Sequence, residues 1–232
     1  MPGYLAVVRS LVPPLVLPGV YTPQEDTALL AGALSEESLP PGADVLDVGT
    51  GTGALALQAA RRGSRVTAVD VSWRAVCTAR MNSWLTGTSV RVRRGNLFTP
   101  VRDLSFDLIL TNPPYVPAPT PGGRPPRGRA RAWDAGHDGR FVLDRVCREA
   151  PALLRPGGVL LIVHSELSDS ARTLGHLREA GLKAAVTRRH RIAFGPVLRT
   201  REDWLRGRGL LSATPAADEK EELVVVRAEL PL

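Results

Sequence analysis

Val45-Leu46-Asp47-Val48-Gly49-Thr50-Gly51-Thr52-Gly53 decides the fold of this 232-residue chain. The first four residues make a short strand-like run interrupted by one carboxylate. Three glycines at alternate positions follow, and Ala54 to Arg62 then reads as a helix. A strand that turns through glycines straight into a helix opens a βαβ unit. Its backbone bends sharply and lets a ligand approach where Cβ atoms would otherwise stand. By itself such a turn says only that the ligand is nucleotide-like.

Two details narrow the ligand. The glycines follow Gly-x-Gly-x-Gly spacing rather than Gly-x-Gly-x-x-Gly, and Asp47 lies two residues before the first of them. A carboxylate there repels a dinucleotide pyrophosphate but attracts the ammonium group of S-adenosylmethionine. Asp70 ends the next strand, 21 residues after Gly49 (70 − 49), where an acidic side chain can accept both ribose hydroxyls. After the third strand, Asn96 can bond the adenine amine and Leu97 can cover the ring. The candidate donor residues are therefore Asp47, Gly49, Gly51, Gly53, Asp70, Asn96 and Leu97.

Outward from this unit, strand candidates recur at 45–48, 65–69, 90–93, 106–111, 159–164, 183–188 and 222–227, with helices between most of them. Ser72 is placed to cap a helix reaching about Trp84, and Gly181 to end one running from about Ser168 to Ala180. Asp138 to Leu154 reads as a further helix. Thr22-Pro23-Gln24-Glu25 has the pattern of a capping box and predicts a helix from Pro23 to Leu34. Alternating strands and helices imply an α/β fold with a doubly wound, mostly parallel seven-stranded sheet. One domain over 23–232 is expected, preceded by an extension over 1–22 that packs on the core. Pro117 to Arg131, dense in Pro, Gly and Arg, is expected to be a mobile loop, and Pro196 to Asp218 an irregular exposed stretch.

The fourth strand runs into Asn112-Pro113-Pro114-Tyr115. Two prolines stiffen the turn, while the Asn112 side-chain oxygen and the Pro113 carbonyl offer two acceptors for a planar NH2 group. Tyr115 adds an aromatic wall. Asn112, Pro113 and Tyr115 are the candidate catalytic residues, and all four form the candidate acceptor site.

The net charge of +7 comes from 28 Arg and two Lys, so phosphate-bearing partners are plausible, and the Arg-rich loop could touch nucleic acid or the ribosome. Cys77 and Cys147 lack partners at metal-ligand spacing; a reducing cytoplasmic setting without metal or membrane is expected. The apolar start carries Pro13, Pro14 and Pro18 and no charge before Arg9, which argues against a secretion signal.

With these motifs in order, the chain resembles class I S-adenosylmethionine-dependent methyltransferases, specifically the HemK/PrmC glutamine methyltransferases in their short eukaryotic and archaeal branch. Tyr21-Thr22-Pro23-Gln24-Glu25-Asp26-Thr27 resembles that branch's entry helix. Ala132 to Arg140 resembles its tryptophan- and glycine-bearing segment, and Glu222 to Arg227 its closing strand. The resemblance implies methyl transfer to the side-chain amide of a protein glutamine, in the Gly-Gly-Gln loop of a translation release factor. It places Thr27 on the donor and Asn112 on both donor and acceptor. It also implies a small zinc-binding activator as the partner of eukaryotic and archaeal members. The family's usual Asp at the adenine position is here Asn96. Similar turns serve nucleobase methyltransferases, so an exocyclic amine of adenine or guanine in RNA or DNA is a competing acceptor, as is a specialised small molecule or peptide.

Overall fold

The computed structural model describes residues 15–119, 128–214 and 219–232. Seven strands form one sheet: β1 (Asp44–Val48), β2 (Arg65–Asp70), β3 (Val90–Arg94), β4 (Phe106–Thr111), β5 (Leu154–Ser165), β6 (Lys183–Ala193) and β7 (Lys220–Glu229). Their order is β3-β2-β1-β4-β5-β7-β6, with only β7 antiparallel to its neighbours. This is the doubly wound arrangement anticipated above.

Strand residues alternate between two cores. Val45, Val66, Leu108, Leu110, Leu161 and Val225 pack with α1 (Glu25–Glu36), α2 (Ala54–Arg61) and α3 (Trp73–Leu85). Leu46, Val48, Ile109, Leu160, Ile162 and Val226 face α4 (Leu143–Glu149) and α5 (Ser170–Glu179). Central strands buried on both faces read as unbroken apolar runs because the parallel sheet has helices on each side. Tyr115 touches both cores at the sheet's carboxyl edge.

Several local expectations are corrected. Helix α1 starts at Glu25, and its N-cap Gln24 makes no side-chain cap bond. The N-cap position thus falls on Gln24 and not on Thr22, and Asp26 Oδ1 takes the Thr27 N–H at 2.6 Å. The helix expected over 138–154 shrinks to Leu143–Glu149, followed by a 3-10 turn at Pro151–Leu153. Gly139 has φ +71°, outside any helix, and Pro151 ends the regular bonding. The stretch from Pro196 is regular in its first half, where it forms α6 (Pro196–Arg199) and α7 (Glu202–Gly207) with Leu198 and Leu205 buried beside Phe194, while 208–214 is irregular as expected and 215–218 lies outside the described residues.

The loop expected over 117–131 is built in at both ends, since Pro117 and Ala118 are buried and Gly128–Ala132 forms a 3-10 turn. Its middle, 120–127, lies outside the described residues, as does 1–14 of the expected extension. Leu15 exchanges two hydrogen bonds with the Asn82 side chain of α3, at 2.9 and 2.8 Å.

Candidate functional site

The loops after β1, β2, β3 and β4 meet at the carboxyl edge, where ligands bind in open α/β sheets. Gly49, Gly51 and Gly53 all have positive φ (74°, 55° and 87°), a run that side-chain-bearing residues would resist. Gly49 N and Thr50 N donate to Val69 O, tying the turn to β2. A Cβ on Gly49 would approach the Asn112 carbonyl oxygen at 3.9 Å, so the glycine cradle lies against the β4 turn.

Asp47 is turned beneath this cradle. Its Oδ2 accepts from Thr50 Oγ1 at 2.6 Å and Ala56 N at 3.2 Å. Burial pushes its carboxyl up to about 6 despite those bonds. Asp47 therefore organises the turn from below as well as lending it negative charge. Asp70 accepts from Gly51 N (3.0 Å) and Ser72 N (2.8 Å), and burial also raises its carboxyl. Gly95 N bonds Asp70 O, which brings Asn96 and Leu97 to the same edge. Leu97 has φ +49°, a strained conformation for a leucine and one that recurs at functional sites. Asn96 Oδ1 accepts from Arg145 Nη1 at 3.1 Å, a contact the sequence did not suggest.

Around the β4 turn, one carboxylate gathers three side chains. Asp26 Oδ2 accepts from Asn112 Nδ2 (2.9 Å), Tyr21 Oη (2.8 Å) and Tyr115 Oη (3.2 Å). Asp26 Oδ1 holds Thr27 through its N–H and hydroxyl, and Asn112 Nδ2 also reaches Thr27 Oγ1 at 3.3 Å. With its NH2 directed to Asp26, the Asn112 amide retains Oδ1 as its acceptor. Pro113 is buried, and Asn112, Pro114 and Tyr115 are half-buried. Burial, with Asp26 close by, holds the Tyr115 and Tyr21 hydroxyls well above the usual phenol range, so both remain donors.

Sequence reasoning missed Asp26 and Tyr21 as site residues, although both sit in the entry segment, five positions apart. It also missed Glu221, whose carboxyl burial pushes up to about 7 and whose Oε1 lacks a hydrogen-bond partner among the described residues. His164 is buried and held neutral at about 4 by desolvation, with Nδ1 on Ser165 O, a structural role. No helix among the described residues is long and apolar enough to cross a membrane.

A glycine cradle, a half-buried carboxylate at the end of β2 and a strained loop after β3 together fit an adenosyl ligand. The Methyltransferase small domain family matches residues 15–119. A relative from Methanocaldococcus jannaschii, named protein N5-glutamine methyltransferase, is 34% identical over 178 residues, or 76% of this chain and 88% of its own length. A release factor glutamine methyltransferase of Geobacter sulfurreducens is 37% identical over 158 residues, or 64% of this chain and 54% of its own length. The chain thus spans about half of that bacterial relative. The E. cuniculi Mtq2–Trm112 complex, described as methylating a translation termination factor, shares the fold with TM-score 0.63 and 24% identity, over 91% of this chain and 99% of that one.

Proposed function

We propose, because the chain belongs to the family of protein N5-glutamine methyltransferases, that it methylates the side-chain amide nitrogen of a protein glutamine, in the Gly-Gly-Gln loop of a translation release factor. As a class I methyltransferase it uses S-adenosylmethionine, which when bound supplies an electrophilic methyl carbon on a sulfonium. Gly49, Gly51 and Gly53 would give it room, Asp70 would take its ribose, and Asn96 and Leu97 its adenine. Thr27 and Asp47 border the same space.

The observation that carries the acceptor reading is the bond from Asn112 Nδ2 to Asp26. It leaves Asn112 Oδ1 and the Pro113 carbonyl to accept the two N–H groups of a carboxamide. A carboxamide nitrogen is a poor nucleophile, because its lone pair is delocalised into the carbonyl. Two fixed acceptors align that nitrogen and stabilise positive charge developing on it, and such preorganisation supplies rate without a side-chain base. Tyr115, held by the same carboxylate, walls the amide on one side. A neutral polar acceptor pair suits a neutral NH2 group, and the names of both relatives agree with a glutamine.

The test incubates the protein and labelled methyl donor with release factor, total RNA, or neither. Label is expected in release factor alone, and absent when its Gly-Gly-Gln glutamine is replaced. Label in RNA would reassign the clamp to a nucleobase amine. Label in neither would point to another peptide or small molecule. In single turnover with release factor, Asn112→Ala is expected to lower the rate ~100-fold or more while donor binding stays within a few-fold.

A further inference from the structure

The chain leaving the Asn-Pro-Pro-Tyr turn is extended, and its polar groups are bonded along both edges with the two-residue period of a strand. On one edge Val116 N donates to Trp133 O (2.8 Å), Ala135 N to Val116 O (3.0 Å) and Ala118 N to Gly136 O (2.8 Å). On the other edge, alternate carbonyls accept from side chains. Tyr115 O accepts from Ser168 Oγ at 2.6 Å, and Pro117 O from Arg201 Nη1 at 2.9 Å.

Arg201 holds the opposite rail as well. Its Nη2 lies 2.7 Å from Asp134 Oδ1, an ion pair by distance without hydrogen-bond alignment, with both side chains largely buried, and Asp134 is the bridge partner of Val116. A single guanidinium therefore closes the base of the 117–131 loop from both sides. Its two terminal nitrogens reach the two rails at once, which the single nitrogen of an ammonium would not do. Arg201 stands between α6 and α7, whose Leu198 and Leu205 are buried with Phe194, and Val116 packs on that cluster. The segment joining β6 to β7 is thus anchored by its own small core before it reaches across to the clamp.

We infer that Arg201 is a positioning residue for the acceptor side of the site. From the β6–β7 segment it sets the backbone of Tyr115 to Ala118, and through it the grip on an acceptor polypeptide, without contributing to the donor side. The inference rests on the reading of Asn112 to Tyr115 as the acceptor clamp. Its consequence on loss of Arg201 is a weaker hold on the acceptor polypeptide, a binding contribution shared by ground and transition states.

The experiment compares wild type, Arg201→Ala and Arg201→Lys by three readouts: amide hydrogen exchange of the protein alone, calorimetric affinity for S-adenosylmethionine, and steady-state methylation of release factor. In Arg201→Ala, the Val116, Ala118 and Ala135 amides should exchange at least ~10-fold faster while Ile109 and Leu110 in β4 keep their protection, as expected for a local loss of order. Donor affinity should stay within about twofold, and KM for release factor should rise ~10-fold with a smaller change in kcat, the pattern of a lost binding contribution. Arg201→Lys should recover part of both effects, since one ammonium can hold one rail. Unchanged exchange at those three amides, or donor affinity falling in step with methylation, overturns the inference. Should Arg201→Ala fail to fold, Asp134→Asn, which weakens one arm only, is read in the same way. The exchange measurement contains no acceptor. It therefore decides the role of Arg201 even if release factor takes no label, an outcome that would bear on the proposed function instead.

Discussion

Asn112 on the β4 turn donates its side-chain N–H to Asp26 in the first turn of α1, at 2.9 Å across 86 residues of sequence. The bond determines which end of the Asn112 amide is left for an acceptor. Asp26 is 5% exposed and takes two tyrosine hydroxyls at the same oxygen. A carboxylate can accept at every lone pair, whereas a carboxamide brings two donors of its own. In Asp26→Asn the Asn112 amide loses the partner that orients it and can present NH2 to NH2. Turnover is expected to fall by ~10-fold to 100-fold, the scale of losing a preorganised polar contact. Donor affinity, followed by calorimetry, should change by no more than a few-fold. A mutant with wild-type single-turnover rate would remove Asp26 from the catalytic arrangement.

Glu221 on β7 gives a pH prediction. Burial is the largest cause of its raised carboxyl, with Asp26 and Glu25 adding to it and Ser165 opposing it. Its folded value of about 7 lies above the ordinary 4.5. Between those values the native protein holds a proton that the unfolded chain has released. The stabilisation is therefore complete below about 4.5 and is lost as pH rises through about 7. The difference amounts to a few kcal/mol at most. Glu221→Gln should flatten this part of the melting-temperature profile and raise the melting temperature at pH 8 relative to wild type. Parallel profiles for the two proteins would show that Glu221 ionises without penalty. Asp47, raised to about 6 by burial, contributes a similar slope at lower pH in both proteins.

What was legible in the sequence follows from where the information lies. Strands β1, β4 and β5 are buried on both faces, so their apolar runs announce them locally, and the glycine turn is a backbone requirement written in residue type. The helix over 138–154 was overread because Gly139 and Pro151 act through conformation at two points, while the apolar spacing of Val142, Val146 and Leu153 continues past them. Leu198 and Leu205 gain meaning only by packing with Phe194 and Val116, so the segment between β6 and β7 looked irregular. The glycine turn and the Asn-Pro-Pro-Tyr turn stand out in the sequence because each is a contiguous motif, and the fold brings Asp70, Asn96 and Leu97 to the same sheet edge. Asp26, Ser168 and Arg201 do not stand out, because each reaches the clamp through a long-range contact. No local pattern distinguishes such residues from surface polar ones.

Gly139 ties the segment before α4 to the clamp, and it does so by having no side chain. Its φ is +71°, and a Cβ there would overlap both the Tyr115 carbonyl oxygen and Ser168 Oγ. The Gly139→Ala variant combines left-handed backbone strain with a collision against groups that are themselves hydrogen-bonded. A loss of about 2–4 kcal/mol is expected. In denaturant melts this should appear as a lower midpoint with unchanged slope, accompanied by weaker acceptor methylation. A variant as stable as wild type would mean that the Tyr115 backbone gives way at little cost.

Asn96 offers a gain rather than a loss. Its Oδ1 already accepts from Arg145 Nη1 at 3.1 Å, and Arg145 is itself paired with Glu149 at 3.2 Å. If the same oxygen reads the adenine amine, Asn96→Asp keeps the acceptor, adds charge to it and pairs that charge with Arg145. Charge-assisted bonds are roughly twice as strong as neutral ones, but this pair is partly exposed, which limits the gain to about 0.2–1 kcal/mol. Affinity for S-adenosylmethionine should therefore rise about 1.4- to fivefold, with kcat unchanged, the span that such an energy converts to. The opposite result carries its own assignment. If the Asn96 NH2 donates to a ring nitrogen of adenine, the new carboxylate sets an acceptor against an acceptor and affinity falls. Calorimetry on the two proteins at one ionic strength distinguishes these cases, because they differ in sign and not only in size.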